Sequence, residues 1–113
     1  MFALPLAMSM MVVPPVLGGA SYYALDGNRT ANGEVYSRHA MTAAHRTLKF
    51  GTMVRVKNVA TGQTVIVRIN DRGPYHPGRI IDLSEAAFKR ISPRSAGVIK
   101  VRLDVLKPGP KAP

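Results

Sequence analysis

Two segments of the chain alternate hydrophobic and polar residues, the period of a β-strand with one face in solvent. They are residues 52–58, with Val54 and Val56 on the apolar face, and residues 97–105. Between them, residues 64–69 are β-branched almost throughout, which is typical of a central strand. The turn sequence before this run predicts that it pairs with the first segment as a hairpin.

Two shorter extended segments and one helix complete the predicted elements. Residues 20–23 form a strand-like start, and residues 79–83 resume extended structure after a Gly-Pro break. Residues 84–91 predict the only helix, because Ser84 can cap it and its acidic start and basic end suit the helix dipole. Short strands, one helix and no βαβ rhythm predict a mainly β, closed barrel.

The length of 113 residues leaves room for one core, which we place at residues 20–106, ahead of a tail at 107–113 that we expect to be disordered. Residues 1–20 are apolar and uncharged and end in small residues, so they predict a secretory signal peptide. No Lys or Arg precedes this stretch, which indicates a truncated or misassigned start. A retained membrane anchor is the alternative, although three prolines interrupt the segment.

The balance of charge, +10 from 16 Lys and Arg against 6 Asp and Glu, favours a polyanionic partner. Nucleic acid, anionic lipid and acidic cell-wall polymer all qualify. The basic residues are spread from Arg29 to Lys111 without a run and without interleaved aromatic residues, so we expect no nucleic-acid partner. An intracellular barrel that binds nucleic acid stays a distant alternative.

The absence of cysteine from the sequence excludes disulfides, thiolate zinc sites and a lipid-bearing N-terminal Cys. No His or carboxylate pair has the spacing of a metal site, and there is neither a Gly-rich phosphate loop nor a serine elbow. We therefore expect no metal or other cofactor, and no lipoprotein.

The search for catalytic acids is short, because only six carboxylates are present. Asp71 ends a buried-looking strand, where a carboxylate either caps a turn or serves a site. Asp82 precedes the helix cap and either bonds the backbone, pairs with an arginine, or meets Asp71 if their strands are neighbours. Paired carboxylates suit glycosidic cleavage. Glu34 alone is typical of a solvated acid, and a lone His45 is more often structural than catalytic.

Six short motifs, taken in order, closely resemble the rare lipoprotein A family over roughly residues 20–105. They are ASYY at 20–23, TANGE at 30–34, TAAHR at 42–46, LKFGT at 48–52, INDRGP at 69–74 and IDLS at 81–84. The resemblance implies a six-stranded double-psi β-barrel with one short helix. Characterised members are lytic transglycosylases that cut peptidoglycan between N-acetylmuramic acid and N-acetylglucosamine and leave 1,6-anhydro ends.

Roles for individual residues also follow from the resemblance. Asp71 matches the aspartate proposed as general acid and then base, Glu34 and His45 match further positions important for activity, and Asp82 aligns with an acid of expansin-like domains. The 6-hydroxyl of the sugar is the nucleophile, so one carboxyl group can give a proton and then take one.

Substrate contacts are predicted from residue type alone. Arg72 is expected to hold a lactyl carboxylate and Tyr75 to stack on a sugar face. Tyr22 or Tyr23 offers a further platform, and strand alternation predicts that these two point opposite ways.

One departure from the family pattern is Ser37, which stands where active members carry an aspartate. No second domain of the kind that targets relatives to the septum is recognised, so septal targeting is not implied. Two functions stay open: an exported transglycosylase of the periplasm or cell envelope, acting as a monomer on peptidoglycan strands, and a non-catalytic, expansin-like wall-binding module.

Overall fold

The computed structural model describes residues 15–24 and 26–110. Six strands lie in this part of the chain: β1 (Val16–Tyr23), β2 (Thr42–Ala44), β3 (Met53–Asn58), β4 (Thr64–Asp71), β5 (Arg79–Ser84) and β6 (Ile99–Lys107). A short helix, α1 (Glu85–Lys89), follows β5, and a 3-10 turn (Arg94–Ala96) precedes β6. The strands close into a barrel in the order β1-β5-β2-β4-β3-β6.

The pairing of the strands is mixed. β1 pairs with β5 and β2 with β4 in parallel, whereas the remaining neighbours are antiparallel. The predicted hairpin of β3 and β4 is confirmed. So is the predicted fold, a mainly β, six-stranded double-psi barrel with one short helix.

The alternating side chains fill the barrel. Val54 and Val56 of β3 lie in the core together with Val67 and Ile69 of β4, and all four are fully buried. Phe88 of α1 is also fully buried. Because burial of such a side chain stabilises the fold by ~1.5–3 kcal/mol, the interior holds the barrel together and leaves its rim and outer face for chemistry.

Helix α1 is shorter than predicted but begins at the predicted cap. The Ser84 side chain accepts a hydrogen bond from the Ala87 N–H, and Glu85 and Lys89 lie at the ends that favour their charges. The sequence did not predict β2, whose three residues are all buried and therefore show no alternation. This strand lies between β4 and β5 and positions the site described below.

Both ends of the predicted domain extend further than expected. β1 begins at Val16, so residues 16–20, which were assigned to the signal peptide, pair with β6. Residues 1–14 lie outside the described residues, and a leader there stays a prediction. At the other end, β6 runs to Lys107, and the Gly109 N–H donates to the Thr52 hydroxyl at 3.0 Å. No helix among the described residues has the length and apolarity to span a bilayer.

Candidate functional site

Strand β2 joins the two candidate aspartates in one row. Ala44 of β2 pairs with Asp82 of β5 on one side and with Asp71 of β4 on the other. Paired residues of neighbouring strands point to the same face of a sheet. Because Asp82 lies between the core residues Ile81 and Leu83, it points away from the core, and the whole row faces outward. The strands of the two aspartates are thus not neighbours, and their backbones are ~10 Å apart.

The carboxylate of Asp71 is held by three donors. Its Oδ1 accepts the N–H groups of Ala31 and Arg72, each at 2.8 Å. Its Oδ2 accepts the hydroxyl of Tyr23 at 3.2 Å. Backbone donors therefore occupy Oδ1, whereas among the described residues Oδ2 accepts only a rotatable hydroxyl and is the less restrained of the two oxygens.

Tyr23 is a permanent donor to this carboxylate. Its ring stacks on Tyr36, with centroids 4.4 Å apart. Burial, followed by the charge of Asp71 and the hydrogen bond to it, raises the pKa of Tyr23 far above its usual value. The phenol therefore stays protonated at any physiological pH. Tyr36 covers one face of the ring, so only the opposite face is left for the predicted contact with a sugar.

Tyr22 points the other way, as strand alternation predicts. Its ring contacts the core residue Phe88, with centroids 4.8 Å apart. Of the two adjacent tyrosines, Tyr23 is therefore the one at the site.

Glu34 forms a bidentate ion pair with Arg68 of β4, which we call the loop clamp. Its two oxygens accept from the guanidinium at 2.5 and 2.8 Å, and the Asn32 amide adds a third hydrogen bond. The hydrogen bonds from Arg68 and then from Asn32 lower the pKa of Glu34 to about 2. Glu34 therefore has no proton to donate near neutral pH.

The loop clamp fixes the turn at residues 30–34 against the end of β4. The Asn32 N–H donates to the Asn70 carbonyl at 3.2 Å, next to the candidate acid. In this position the Ala31 N–H reaches Asp71. Glu34 thus acts on Asp71 through the loop rather than by direct contact.

His45 follows Ala44 and contacts Asp71 through its backbone, the N–H donating to the Asp71 carbonyl at 3.1 Å. Its ring Nδ1 accepts the N–H groups of Thr47 and Leu48, both at 3.1 Å. Burial, and then nearby arginine charges, lower the pKa of His45. The imidazole is therefore neutral near pH 7, with its proton on Nε2.

Arg72 is largely occupied by the protein itself. Its Nη1 donates to the carbonyls of His45 and Leu48 at 3.1 and 2.8 Å, and its Cζ lies 4.0 Å from the ring centroid of Phe50. Binding of a substrate carboxylate, the predicted role, has to use the other nitrogens of the guanidinium. Tyr75 lies at the rim with 73% of its surface exposed. Both roles stay predictions.

Asp82 does not adopt either of its expected structural roles. Its Oδ1 accepts the hydroxyl of Ser21, which lies opposite it in β1. Among the described residues it forms no ion pair. Asp82 is therefore a half-buried, outward-facing carboxylate without a cation partner among the described residues, and it lies two strands from Asp71.

Ser37 is exposed, and its hydroxyl takes part in a local turn, accepting the His39 N–H at 3.2 Å. Asp26, on the facing arm of this loop, is engaged by the backbone N–H and the Nε of Arg38 at 2.7 and 2.6 Å. Neither residue thus supplies a free acid in place of the family aspartate.

The sequence did not identify three contributors to the site: the Ala31 N–H, Arg68 and Ala44. A backbone N–H donor such as that of Ala31 cannot be recognised from the sequence, because it does not depend on which side chain the residue carries. Arg68 is a partly buried member of an alternating strand, and its partner is 34 residues away. Only the arginine in an otherwise β-branched run was a signal that could have been pursued.

Fold and site together define a double-psi β-barrel domain with a row of carboxylates on the outer face of its sheet. A family model described as lytic transglycolase matches residues 16–103, and the chain belongs to that family.

Curated relatives agree with this family assignment. A probable endolytic peptidoglycan transglycosylase RlpA of Synechocystis is 54% identical over 92 residues, which are 80% of this chain and 29% of the relative. The endolytic peptidoglycan transglycosylase RlpA of Vibrio cholerae is 47% identical over 103 residues, 84% of this chain and 39% of the relative. The chain thus spans less than half the length of these relatives.

Solved structures share the fold. The Streptomyces papain inhibitor has a TM-score of 0.71 at 22% identity, covering 86% of this chain and 98% of that one. The apo expansin of Clavibacter michiganensis has a TM-score of 0.68 at 26% identity, covering 88% of this chain and 54% of that one. The low identity of the first makes it evidence of the fold alone.

The loop clamp predicts a pH dependence of stability. The pKa of Glu34 is lowered from 4.5 to about 2. The loop clamp therefore contributes fully to the free energy of unfolding above about pH 5, and this contribution is lost as the pH falls towards 2. Because the side chains of Arg68 and Glu34 are 39% and 40% exposed, we expect the loop clamp to contribute less than ~1 kcal/mol to the free energy of unfolding. Urea unfolding of the wild type and of Glu34→Gln should differ at pH 6 and converge near pH 2.

Two arginine variants identify the partner in that measurement. In a protein that already carries Arg68→Gln, adding Glu34→Gln should no longer change the stability in a pH-dependent way. In a protein that carries Arg55→Gln, which replaces an exposed arginine on another strand, adding Glu34→Gln should still produce the pH-dependent difference. A difference between wild type and Glu34→Gln that persists unchanged at pH 2 would contradict the clamp.

Proposed function

We propose that this chain cleaves the glycan strands of peptidoglycan as an endolytic lytic transglycosylase, with Asp71 as general acid and then base. The observation that carries the proposal is the carboxylate of Asp71, oriented by two backbone N–H groups and one phenol, with Oδ2 able to exchange a proton. Relatives named as endolytic peptidoglycan transglycosylases support the substrate and the reaction.

The reaction needs a single carboxyl group for both proton transfers. Protonated Asp71 gives its proton to the glycosidic oxygen while the bond from that oxygen to C1 of N-acetylmuramic acid breaks. The sugar's 6-hydroxyl then attacks C1, and the Asp71 carboxylate takes the hydroxyl proton. The product carries a 1,6-anhydro ring, and Asp71 is protonated again for the next cycle.

Tyr23 assists the first of these transfers as a positioning residue. Its raised pKa keeps the phenol protonated, so it does not compete for the substrate's proton. Once Asp71 has lost its proton, the phenol donates to the new carboxylate, as the 3.2 Å contact allows. A hydrogen bond to a charged acceptor contributes ~1.5–3 kcal/mol.

Asp82 and Ala44 complete the proposed site. Positive charge develops at the sugar carbon in the transition state, and Asp82, with no cation partner among the described residues, can stabilise it. Ala44, between the two aspartates, is buried and sets their spacing rather than contacting the sugar. Glu34 keeps the loop in position, and neutral His45 can donate a hydrogen bond from Nε2.

The second candidate is a non-catalytic wall-binding module. It is favoured by Ser37, which puts a hydroxyl where active members carry an acid, and by the likeness to expansin. A mutant of the Clavibacter michiganensis expansin, in complex with cellohexaose, has a TM-score of 0.66 at 23% identity, covering 88% of this chain and 54% of that one. Either function requires export, and we propose that the protein acts in the periplasm or cell envelope.

Asp71→Asn tests the catalytic proposal. The amide keeps the size of the side chain and an acceptor for the backbone N–H groups but does not transfer protons, so release of anhydro-muropeptides should fall by ~10²–10⁴-fold. Mass spectrometry of the soluble products from purified sacculi measures this. Asp26→Asn, which removes an exposed acid paired with Arg38, is the control and should keep releasing product.

The same experiment separates the two candidates. Product release by Asp71→Asn at the wild-type rate would exclude the proposed role of Asp71. A wild-type protein that pellets with sacculi but forms no anhydro ends would establish the binding module instead.

Tyr23→Phe tests the positioning role. The stacking on Tyr36 is preserved and only the hydrogen bond to Asp71 is lost, so kcat should fall ~10-fold or more with little change in KM. Tyr22→Phe is the matched control, because the Tyr22 hydroxyl makes no hydrogen bond among the described residues. Equal activities for the two variants would exclude the role.

A further inference from the structure

Two cations lie directly opposite each other on the outer face of the barrel, away from the site. Lys57 of β3 pairs in register with Arg102 of β6, and both are exposed. Like charges in directly opposed positions destabilise a sheet. The fold therefore carries a local cost that a bound anion would relieve.

One acid orients the arginines of this region. Asp104 Oδ2 lies 3.5 Å from Arg55 Nη2 and 3.4 Å from Arg102 Nε. Lys57 has no carboxylate partner among the described residues. We call Arg55, Lys57, Arg102 and Asp104 the cationic patch, and its formal charge, three cations less one acid, is +2.

The cationic patch surrounds a depression of about 320 Å³, which Gly62 and Thr64 also line. This volume exceeds that of a single small oxyanion and suits a segment of a chain. In register, Lys57 pairs with Thr64 and Arg55 with Ile66 of β4, whose last residue is Asp71. At ~3.3 Å per residue the patch therefore lies ~16–23 Å along the strand from the candidate acid. A polymer bound here does not occupy the catalytic row.

The lining residues favour one class of polyanion. None is aromatic, so the stacking platforms that hold single-stranded nucleic acid are missing. The surface belongs to two strands of a closed barrel, so it is neither a helix nor a free two-stranded ribbon that could enter the groove of a duplex. The groups available are guanidinium, ammonium and hydroxyl donors, which recognise oxyanions through charge and hydrogen bonds.

We propose that the cationic patch is a second binding surface, for the carboxylate or phosphodiester groups of anionic cell-wall glycan polymers, and that it retains the domain on the wall. The identity of the polymer rests on the proposed function, whereas the anion-binding surface does not. Exposed charges of this kind act weakly one by one and are screened by salt.

The test compares pairs of charge-neutralising variants in the Asp71→Asn background, so that cleavage does not alter the target. Lys57→Gln/Arg102→Gln removes the opposed cations. Lys89→Gln/Arg90→Gln removes the same charge from the exposed end of α1. Pelleting with purified sacculi at low salt should show a ~10-fold loss of affinity for the first pair, equivalent to ~1.4 kcal/mol, and less than ~2-fold for the second.

Three probes distinguish the sources of the anion. Sacculi stripped of accessory polymers offer peptide carboxylates, a soluble phosphodiester-linked polyol polymer offers phosphodiesters, and a single-stranded DNA oligonucleotide tests nucleic acid. Binding of either wall probe that depends on Lys57 and Arg102 supports the proposal. Equal losses for the two variant pairs, or patch-dependent binding of DNA alone, would overturn it.

Activity is the separate readout. With Asp71 intact, Lys57→Gln/Arg102→Gln should retain cleavage of short soluble glycan strands while losing adhesion to sacculi. If the wild type releases no anhydro ends but the patch still governs adhesion, the proposed reaction fails and the binding surface stands.

Discussion

The pairing of Ala44 with both Asp71 and Asp82 is the constraint on which the rest of the site depends. β2 is only three residues long, yet it runs parallel to β4 and antiparallel to β5. Because closure of the barrel fixes the register of each strand, two acids on strands that are not neighbours in the sheet point to the same side at a set spacing. Ala44 lies buried between them and sets their spacing.

The orientation of Asp71 depends in turn on a loop that has little packing of its own. Backbone N–H groups are precise donors only when their chain is immobile, and here an ion pair of Glu34 with Arg68 provides the restraint. A residue that matches an activity-determining position in the family thus has a geometric role. Its lowered pKa, which excludes acid catalysis, is a consequence of the same arginine that gives it this role.

Periodicity predicted those elements in which one face is buried and the other is wet. It identified β3, β4 and their hairpin, and the cap at Ser84, because local residue order encodes them. It missed β2, since a strand buried on both faces does not alternate. It also missed Arg68 as a partner of Glu34, because a contact across 34 residues depends on the closed barrel. Asp71 was a candidate because it ends a strand, but that position left a turn cap and a functional acid equally open, and the resemblance to the family favoured the second.

The acids at the site also bear on how Ser37 affects the proposed reaction. With Glu34 ionised and Asp26 engaged by Arg38, no other acid of the loop takes the place of the missing aspartate. A reaction whose nucleophile is a hydroxyl of the substrate needs one group that gives and then takes a proton. In the proposed mechanism Asp71 takes both steps, and Asp82, across β2, is a carboxylate with no ion pair among the described residues. In that mechanism, charge stabilisation by Asp82 compensates in part for the acid missing at Ser37, so the proposed reaction is expected to be slower but to follow the same course.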